Sequence, residues 1–125
     1  MDFHPELLVK CNMSSKDATK ATASLLELPE RPDAIFGIND TVAFAAMKEI
    51  KRRGLRIPED IALVGFTDEF HSTVVDPALT SITHPTFEIG QEAARLFFNR
   101  IENPDTKPVQ IVLNTKLVIR KSSVK

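Results

Sequence analysis

One continuous stretch carries the pattern of a strand, a helix and a second strand: DAIFGINDTVAFAAMKEIKRRGLRIPEDIALVGFTD, residues 33–68. Its ends are short, almost continuous apolar runs at 34–38 and 61–66. Such runs are typical of strands that are buried on both faces of a parallel sheet. Between them, the spacing of the apolar residues predicts an amphipathic helix from about residue 41 to residue 53. The stretch therefore predicts a βαβ unit.

Polar residues follow both predicted strands. Asn39 and Asp40 come directly after the first strand, and Thr67, Asp68 and Glu69 come after the second. A right-handed crossover leaves both strand ends on one edge of the sheet, so we expect these side chains to face one crevice. Ligands bind at such edges in open parallel sheets. The alternative is that Asn39 or Asp40 serves only as the N-cap of the helix.

Length and composition predict one soluble globular domain. The chain has 125 residues, of which 42% are hydrophobic and 26% charged, and its net charge of −1 gives no overall signature of nucleic-acid or membrane binding. The single cysteine, Cys11, excludes an internal disulfide and fits a reducing compartment. No signal peptide and no membrane-spanning run is present in the sequence. We therefore expect a cytoplasmic protein without membrane contact.

Further elements are expected on both sides of the central unit. Ser14 and Asp17 resemble a capping box at the start of a helix that ends near residue 28. The apolar and alternating patterns predict the remaining elements as a strand at 7–9, a helical turn or irregular segment at 69–75, a strand at 79–83, a helix from about 86 to 102 with a wide apolar face, and one or two strands within 109–119.

The common local signatures of enzymes are missing from the sequence. It contains no phosphate loop, no GxGxxG, no HExxH, no CxxC and no GxSxG. The only candidate constellation for acid–base or metal chemistry is Asp40, Asp68, Glu69 and His71, and its spacing matches no metal-ligand pattern. We therefore expect no enzyme, and hence no catalytic residue, no metal and no cofactor.

Several motifs resemble one family of bacterial transcription regulators, the lactose-repressor/galactose-repressor (LacI/GalR) family. They occur in the family's order and spacing over nearly the whole chain. The motifs are RPDAIF (31–36), ND (39–40), GLRIPEDI (54–61), VGF (64–66), PALTSI (77–82), IG (89–90) and LVIRKS (117–122). Any one of them alone would be a weak signal.

The resemblance implies an α/β fold with parallel-sheet βαβ units, as an incomplete lobe of the periplasmic-binding-protein-like (type I) kind. Residues 1–84 would be part of the C-terminal effector-binding and dimerisation lobe. Residues 85–104 would be a crossover helix that belongs to the N-terminal lobe, and residues 105–125 would return to the C-terminal lobe as the final strand or strands. The helix-turn-helix and most of the N-terminal lobe would be absent, so operator DNA would be bound only through that absent part.

The resemblance also implies a set of effector contacts. Asn39 would hydrogen-bond sugar hydroxyls, Thr41 would add a polar contact, and Met13 would take the place of an aromatic that stacks on the ligand. Thr67 replaces the family's usual ligand-binding aspartate, and Asp68 retains the aspartate that follows it. The effector would be a sugar or a nucleobase-like molecule.

A homodimer is implied as well. Its contacts would come from Phe44, Met47, Phe70, Val74 and Val75, with the alternative that Phe44 and Met47 simply face the core of this lobe. The function implied is the effector-sensing and dimerisation portion of a transcriptional regulator. The alternative is a stand-alone or periplasmic-type sugar-binding module, which the lack of a signal peptide disfavours.

Overall fold

The computed structural model describes residues 4–125 and contains a four-stranded sheet with helices packed against it. A 3-10 helix at Pro5–Leu7 precedes the regular elements. These elements are, in chain order, α1 (Ser15–Leu26), β1 (Ala34–Phe36), α2 (Asp40–Arg52), β2 (Ala62–Thr67), α3 (His71–Val74), β3 (Thr80–Thr83), α4 (Thr86–Glu102) and β4 (Leu117–Val118).

The sheet has the strand order β1-β2-β3-β4. The first three strands are parallel, and β4 pairs antiparallel with β3 through Ser81 and Val118. Helix α2 connects β1 to its parallel neighbour β2, so the predicted βαβ unit and the α/β class are confirmed. Because β1, β2 and β3 run in the same direction, their carboxyl ends lie along one edge of the sheet.

The expectation that the strands are buried on both faces is wrong. Along β2, Leu63 and Gly65 are buried, whereas the residues that alternate with them are only partly covered. Phe36 at the end of β1 is exposed. The cause is that α1 packs on α2 and α2 packs on β2, which places the core on one face of the sheet. That core contains Leu26, Ala43, Ala46, Met47, Ile50, Ile57, Ile61, Leu63 and Leu79.

Of the strands predicted near the two ends of the chain, the first is absent and the second is short. Residues 8 and 9 form no strand, and residue 7 belongs to the 3-10 helix. Within 109–119 only Leu117–Val118 forms a strand. The reason is that β3 has only four residues. Its pairing with the C-terminal segment ends at residue 116, where the Thr83 N–H donates to the Lys116 carbonyl at 2.8 Å.

Helix α4 begins and ends at the residues that the periodicity indicates, but none of its residues is buried. Its predicted apolar face lies on the surface, with Phe87 78% exposed and Phe97 and Phe98 stacked edge to face on each other. Periodicity therefore located the helix without showing what it packs on.

An ion cluster around the buried Glu49 joins α2 to the end of α1. The Glu49 carboxylate, whose side chain is only 2% exposed, accepts hydrogen bonds from Arg52 at 2.7 Å and from Arg53 at 2.8 Å. Arg53 also donates to Glu27 on the segment after α1 at 2.6 Å. The two hydrogen bonds from Arg52, and then the one from Arg53, lower the pKa of the Glu49 carboxyl from 4.5 to about 2.

This lowered pKa makes the stability of the fold depend on pH in the acid range. Glu49 has its ordinary pKa when the chain is unfolded, so its contribution is complete above about pH 4.5 and is lost as the pH falls towards 2. Glu49→Gln should lower the free energy of unfolding at neutral pH. It should also reduce the loss of stability that accompanies the fall from pH 4.5 to about pH 2. Urea unfolding across this pH range measures the effect, with Glu102→Gln on an exposed helix end as control. An unchanged acid dependence in Glu49→Gln would contradict the ion cluster.

Candidate functional site

The carboxyl edge of the sheet brings together the two polar segments that follow β1 and β2. The Glu69 backbone N–H donates to Asp40 Oδ2 at 2.8 Å, which joins the β2–α3 connection to the first turn of α2. The expected convergence of the strand ends is therefore present in the structure.

Asn39 is the N-cap of α2. Its backbone is extended, and its Oδ1 accepts a hydrogen bond from the Val42 N–H at 2.9 Å. Within residues 4–125 its Nδ2 donates to no other group, so the side-chain amide keeps both N–H donors while the oxygen caps the helix. Capping and ligand contact are therefore compatible roles for Asn39.

Thr41 and Met13 are exposed side chains at helix starts. Thr41 lies in the first turn of α2, two residues after Asn39. Met13 precedes Ser14, the N-cap of α1, whose Oγ accepts from the Asp17 N–H at 3.2 Å and donates to the Asp17 carboxylate at 3.0 Å. The role of each as an effector contact stays a prediction.

The turn at the end of β2 has an unusual backbone. Thr67 has a φ of 115° and Asp68 a φ of 50°, both in the region that side chains with a Cβ rarely adopt. Asp68 Oδ1 accepts from Arg120 Nη1 at 2.6 Å, and the same Nη1 donates to the Leu79 carbonyl at 2.7 Å. One oxygen of Asp68 is therefore held in an ion pair, and the other accepts no hydrogen bond from residues 4–125.

Asp40 is buried, which the sequence analysis did not predict. Its carboxylate is fully buried and accepts three hydrogen bonds: from the Glu69 N–H at 2.8 Å, from Ser72 Oγ at 2.8 Å and from Ser81 Oγ at 2.6 Å. The sequence contains a signal of this burial: position 40 lies three residues before Ala43 and seven before Met47, and therefore on the buried face of α2. The carboxylate connects three elements at the edge.

This burial removes Asp40 from the acid–base constellation considered above. Both oxygens of Asp40 accept from protein donors. The Glu69 and His71 side chains lie at the surface, with 3.7 Å between Glu69 Oε2 and His71 Nδ1. Among residues 4–125, no three His, Cys, Asp or Glu side chains are close enough together to hold a metal ion. In the same described part of the chain, no helix has the length and apolar character needed to cross a membrane.

The Asp40 carboxylate needs the missing side chain of Gly65. A Cβ on Gly65 would overlap Asp40 Oδ1 and would come within 3.0 Å of Leu79 Cδ2. Gly65→Ala should therefore destabilise the fold by about 2 kcal/mol or more, because the crowding is against a buried and fully bonded group.

The matched control is Gly90→Ala. A Cβ on Gly90 would meet no atom within 4 Å, and Gly90 lies inside α4, where alanine is favoured over glycine by about 0.5–1 kcal/mol. Thermal unfolding of both variants measures the difference. Equal stability of the two variants would contradict the close approach of Asp40 to β2.

The predicted dimer contacts fall into two groups. Phe70 is 75% exposed and Val74 is also exposed, on and next to α3, while Phe44 and Val75 are half-buried against the core. The Phe44 ring packs edge to face on His71 at 6.3 Å. Met47 is only 5% exposed and belongs to the core, so the core alternative holds for Met47 and it offers almost no surface to a partner.

Comparison with known proteins identifies the domain type. The model of the periplasmic binding protein-like domain family matches residues 4–123. The HTH-type transcriptional regulator CelR of Thermobifida fusca is 34% identical over 122 residues, which are 98% of this chain and 36% of CelR. The HTH-type transcriptional repressor CytR of Escherichia coli (strain K12) is 32% identical over 119 residues, which are 95% of this chain and 35% of CytR.

Solved structures give the same result. A transcriptional regulator CelR–cellobiose complex matches with a TM-score of 0.93 at 33% identity, over 98% of this chain and 38% of that one. A LacI family transcriptional regulator from Enterococcus faecium with bound ribose matches with a TM-score of 0.82 at 29% identity, over 93% of this chain and 42% of that one. The chain spans about a third of the length of the curated relatives named above.

Proposed function

Because the chain belongs to the periplasmic binding protein-like family and resembles its LacI/GalR-type regulators, we propose that it is the effector-sensing portion of a transcriptional regulator and is not an enzyme. The effector is a small molecule of the sugar class. The observation that carries the proposal is the match over 98% of the chain to a regulator in complex with cellobiose. CytR is a transcriptional repressor, and the Enterococcus faecium protein is a LacI family regulator with bound ribose.

The proposed effector site is the carboxyl edge of the sheet. Sugar hydroxyls both donate and accept hydrogen bonds, and the edge presents complementary groups: the free amide N–H groups of Asn39 and the hydroxyls of Thr41 and Thr67. An effector that binds two lobe arrangements with different affinity shifts the balance between them. In a regulator of this type, that shift changes the affinity for operator DNA.

The residues of this edge predict weak binding by the chain itself. Thr67 offers a hydroxyl where the resembled family usually has a carboxylate, and a neutral acceptor forms a weaker hydrogen bond than an ionised one. Asp68 adds little, since Arg120 holds one of its oxygens. Met13 supplies no flat aromatic surface for a sugar ring.

A titration with cellobiose tests this proposal. We expect the backbone amide resonances of Asn39, Thr41 and Thr67 to shift, with a dissociation constant in the millimolar range. Ribose serves as the second sugar. Absence of any shift with both sugars would contradict a sugar effector, and micromolar affinity would contradict the weak half-site.

Two variants of Asn39 separate its capping role from ligand contact. Asn39→Ser keeps a capping oxygen and removes the amide donors, so it should unfold like the parent chain but lose the cellobiose-induced shifts. Asn39→Ala removes both and should also lose about 1 kcal/mol of stability. If Asn39→Ser retained the shifts, Asn39 would be only a cap.

We further propose that the chain forms a homodimer through the α3 face, defined by Phe44, Phe70, Val74 and Val75. Two of its side chains are largely exposed apolar groups, and the other two connect them to the core. Neighbouring exposed apolar groups of this kind mark protein contact sites more often than scattered ones do.

Val74→Asp should dissociate this dimer, because it puts a charge into an apolar contact. Val124→Asp, the same substitution at an exposed valine near the end of the chain, is the matched control and should leave the dimer intact. Light scattering at several concentrations measures the mass. A monomeric parent chain, or equal dissociation by both variants, would contradict the α3 face as the interface.

A further inference from the structure

The turn formed by Thr67 and Asp68 is costly for these residue types. Two successive side chains with a Cβ have positive φ values, 115° and 50°, and the first is β-branched. Residues with a Cβ rarely adopt such a backbone, which persists only where the surroundings enforce it. The groups that enforce this turn should therefore be identifiable among its neighbours.

Those neighbours are two buried side chains that take up the backbone donors of the turn. The Asp68 N–H donates to Ser81 Oγ at 3.1 Å, and the Ser81 hydroxyl donates to Asp40 Oδ1 at 2.6 Å. The next N–H, that of Glu69, donates to Asp40 Oδ2 at 2.8 Å. Both amides after Thr67 are thus bound, directly or through one hydroxyl, to a single carboxylate.

The same carboxylate belongs to the other half of the edge. Asp40 is the first residue of α2 and directly follows the N-cap Asn39. Its position is fixed on the sheet side as well, because Gly65 leaves the space that its Oδ1 occupies. Asp40 therefore sets the distance between the Asn39–Thr41 segment and the Thr67 turn.

We propose that Asp40 and Ser81 are positioning residues that hold the Thr67–Asp68 turn in its left-handed conformation against the first turn of α2. This gives the effector edge a fixed spacing without either residue touching the ligand. The proposal deepens the proposed function and rests on it for the identity of the ligand, but the conformation of the turn can be tested without one.

Ser72 provides a matched control. Like Ser81, it is fully buried and donates from its hydroxyl to Asp40, at 2.8 Å. Unlike the Ser81 hydroxyl, the Ser72 hydroxyl accepts no hydrogen bond from the Thr67–Asp68 turn. Ser81→Ala and Ser72→Ala therefore each remove one bond to the carboxylate, but only the first removes the acceptor of the Asp68 N–H.

The test is amide hydrogen exchange by NMR on the complete chain and both variants. We expect Ser81→Ala to speed exchange at the Asp68 amide by roughly 3- to 10-fold, the loss of one hydrogen bond, relative to the Val42 amide that Asn39 caps. Ser72→Ala should leave that ratio unchanged. Equal ratios in the two variants would overturn the positioning role.

Two additions keep the outcome decisive. If Ser81→Ala does not fold, Asp40→Asn replaces it. The Glu69 N–H and the Ser81 hydroxyl donate to different oxygens of Asp40, and in asparagine one of these two positions becomes an NH2 group that cannot accept, so exchange at Glu69 or at Asp68 should rise. A cellobiose titration of the same samples should show weaker shifts at Thr67 in Ser81→Ala than in Ser72→Ala, and equal shifts would count against the proposal. If the parent chain shows no shift with either cellobiose or ribose, the sugar effector is wrong, and the exchange ratio still decides the positioning role.

Discussion

A carboxylate that is taken out of water must be given donors by the protein, and at Asp40 this requirement organises the whole carboxyl edge of the sheet. Three donors reach it from the β2–α3 connection, from α3 and from β3. Gly65 must lack a side chain to make room for it. One group therefore fixes the relative positions of the segments that follow β1 and β2, and these are the segments that carry the proposed effector contacts.

A second set of buried polar groups attaches the end of the chain to the sheet. The Ser122 hydroxyl donates to the Leu63 carbonyl at 2.6 Å and accepts from the Thr80 N–H at 2.8 Å, and the Ser122 N–H donates to the Ala78 carbonyl. Arg120 then reaches Asp68 at the opposite edge. Directional hydrogen bonds of this kind fix the register of the strands, which the apolar core beneath α2 does not fix by itself. The end of the chain therefore holds β2, β3 and the turn that follows β2 in place.

Local patterns in the sequence predicted the elements more accurately than their surroundings. Helices α2 and α4 begin and end within one residue of their predicted bounds, because periodicity and caps are local. The one-sided burial of the sheet and the short β4 depend on which distant segments pair, and no window of sequence contains that information. Asp40 was expected to face the crevice or to cap α2, although its position on the helix pointed inwards. The Asp68–Arg120 pair joins residues 52 positions apart and has no local signal.

The proposed function depends on where a sugar sits relative to this edge, and a crystal structure of the chain grown with cellobiose tests it most directly. We predict that the sugar lies at the carboxyl ends of β1 and β2, with a hydroxyl within hydrogen-bond distance of Asn39 Nδ2 and another near Thr67. A sugar bound only elsewhere, for example in the groove of about 520 Å³ between α1 and the segment that contains Lys10 and Cys11, would contradict the assignment of this edge as the effector site.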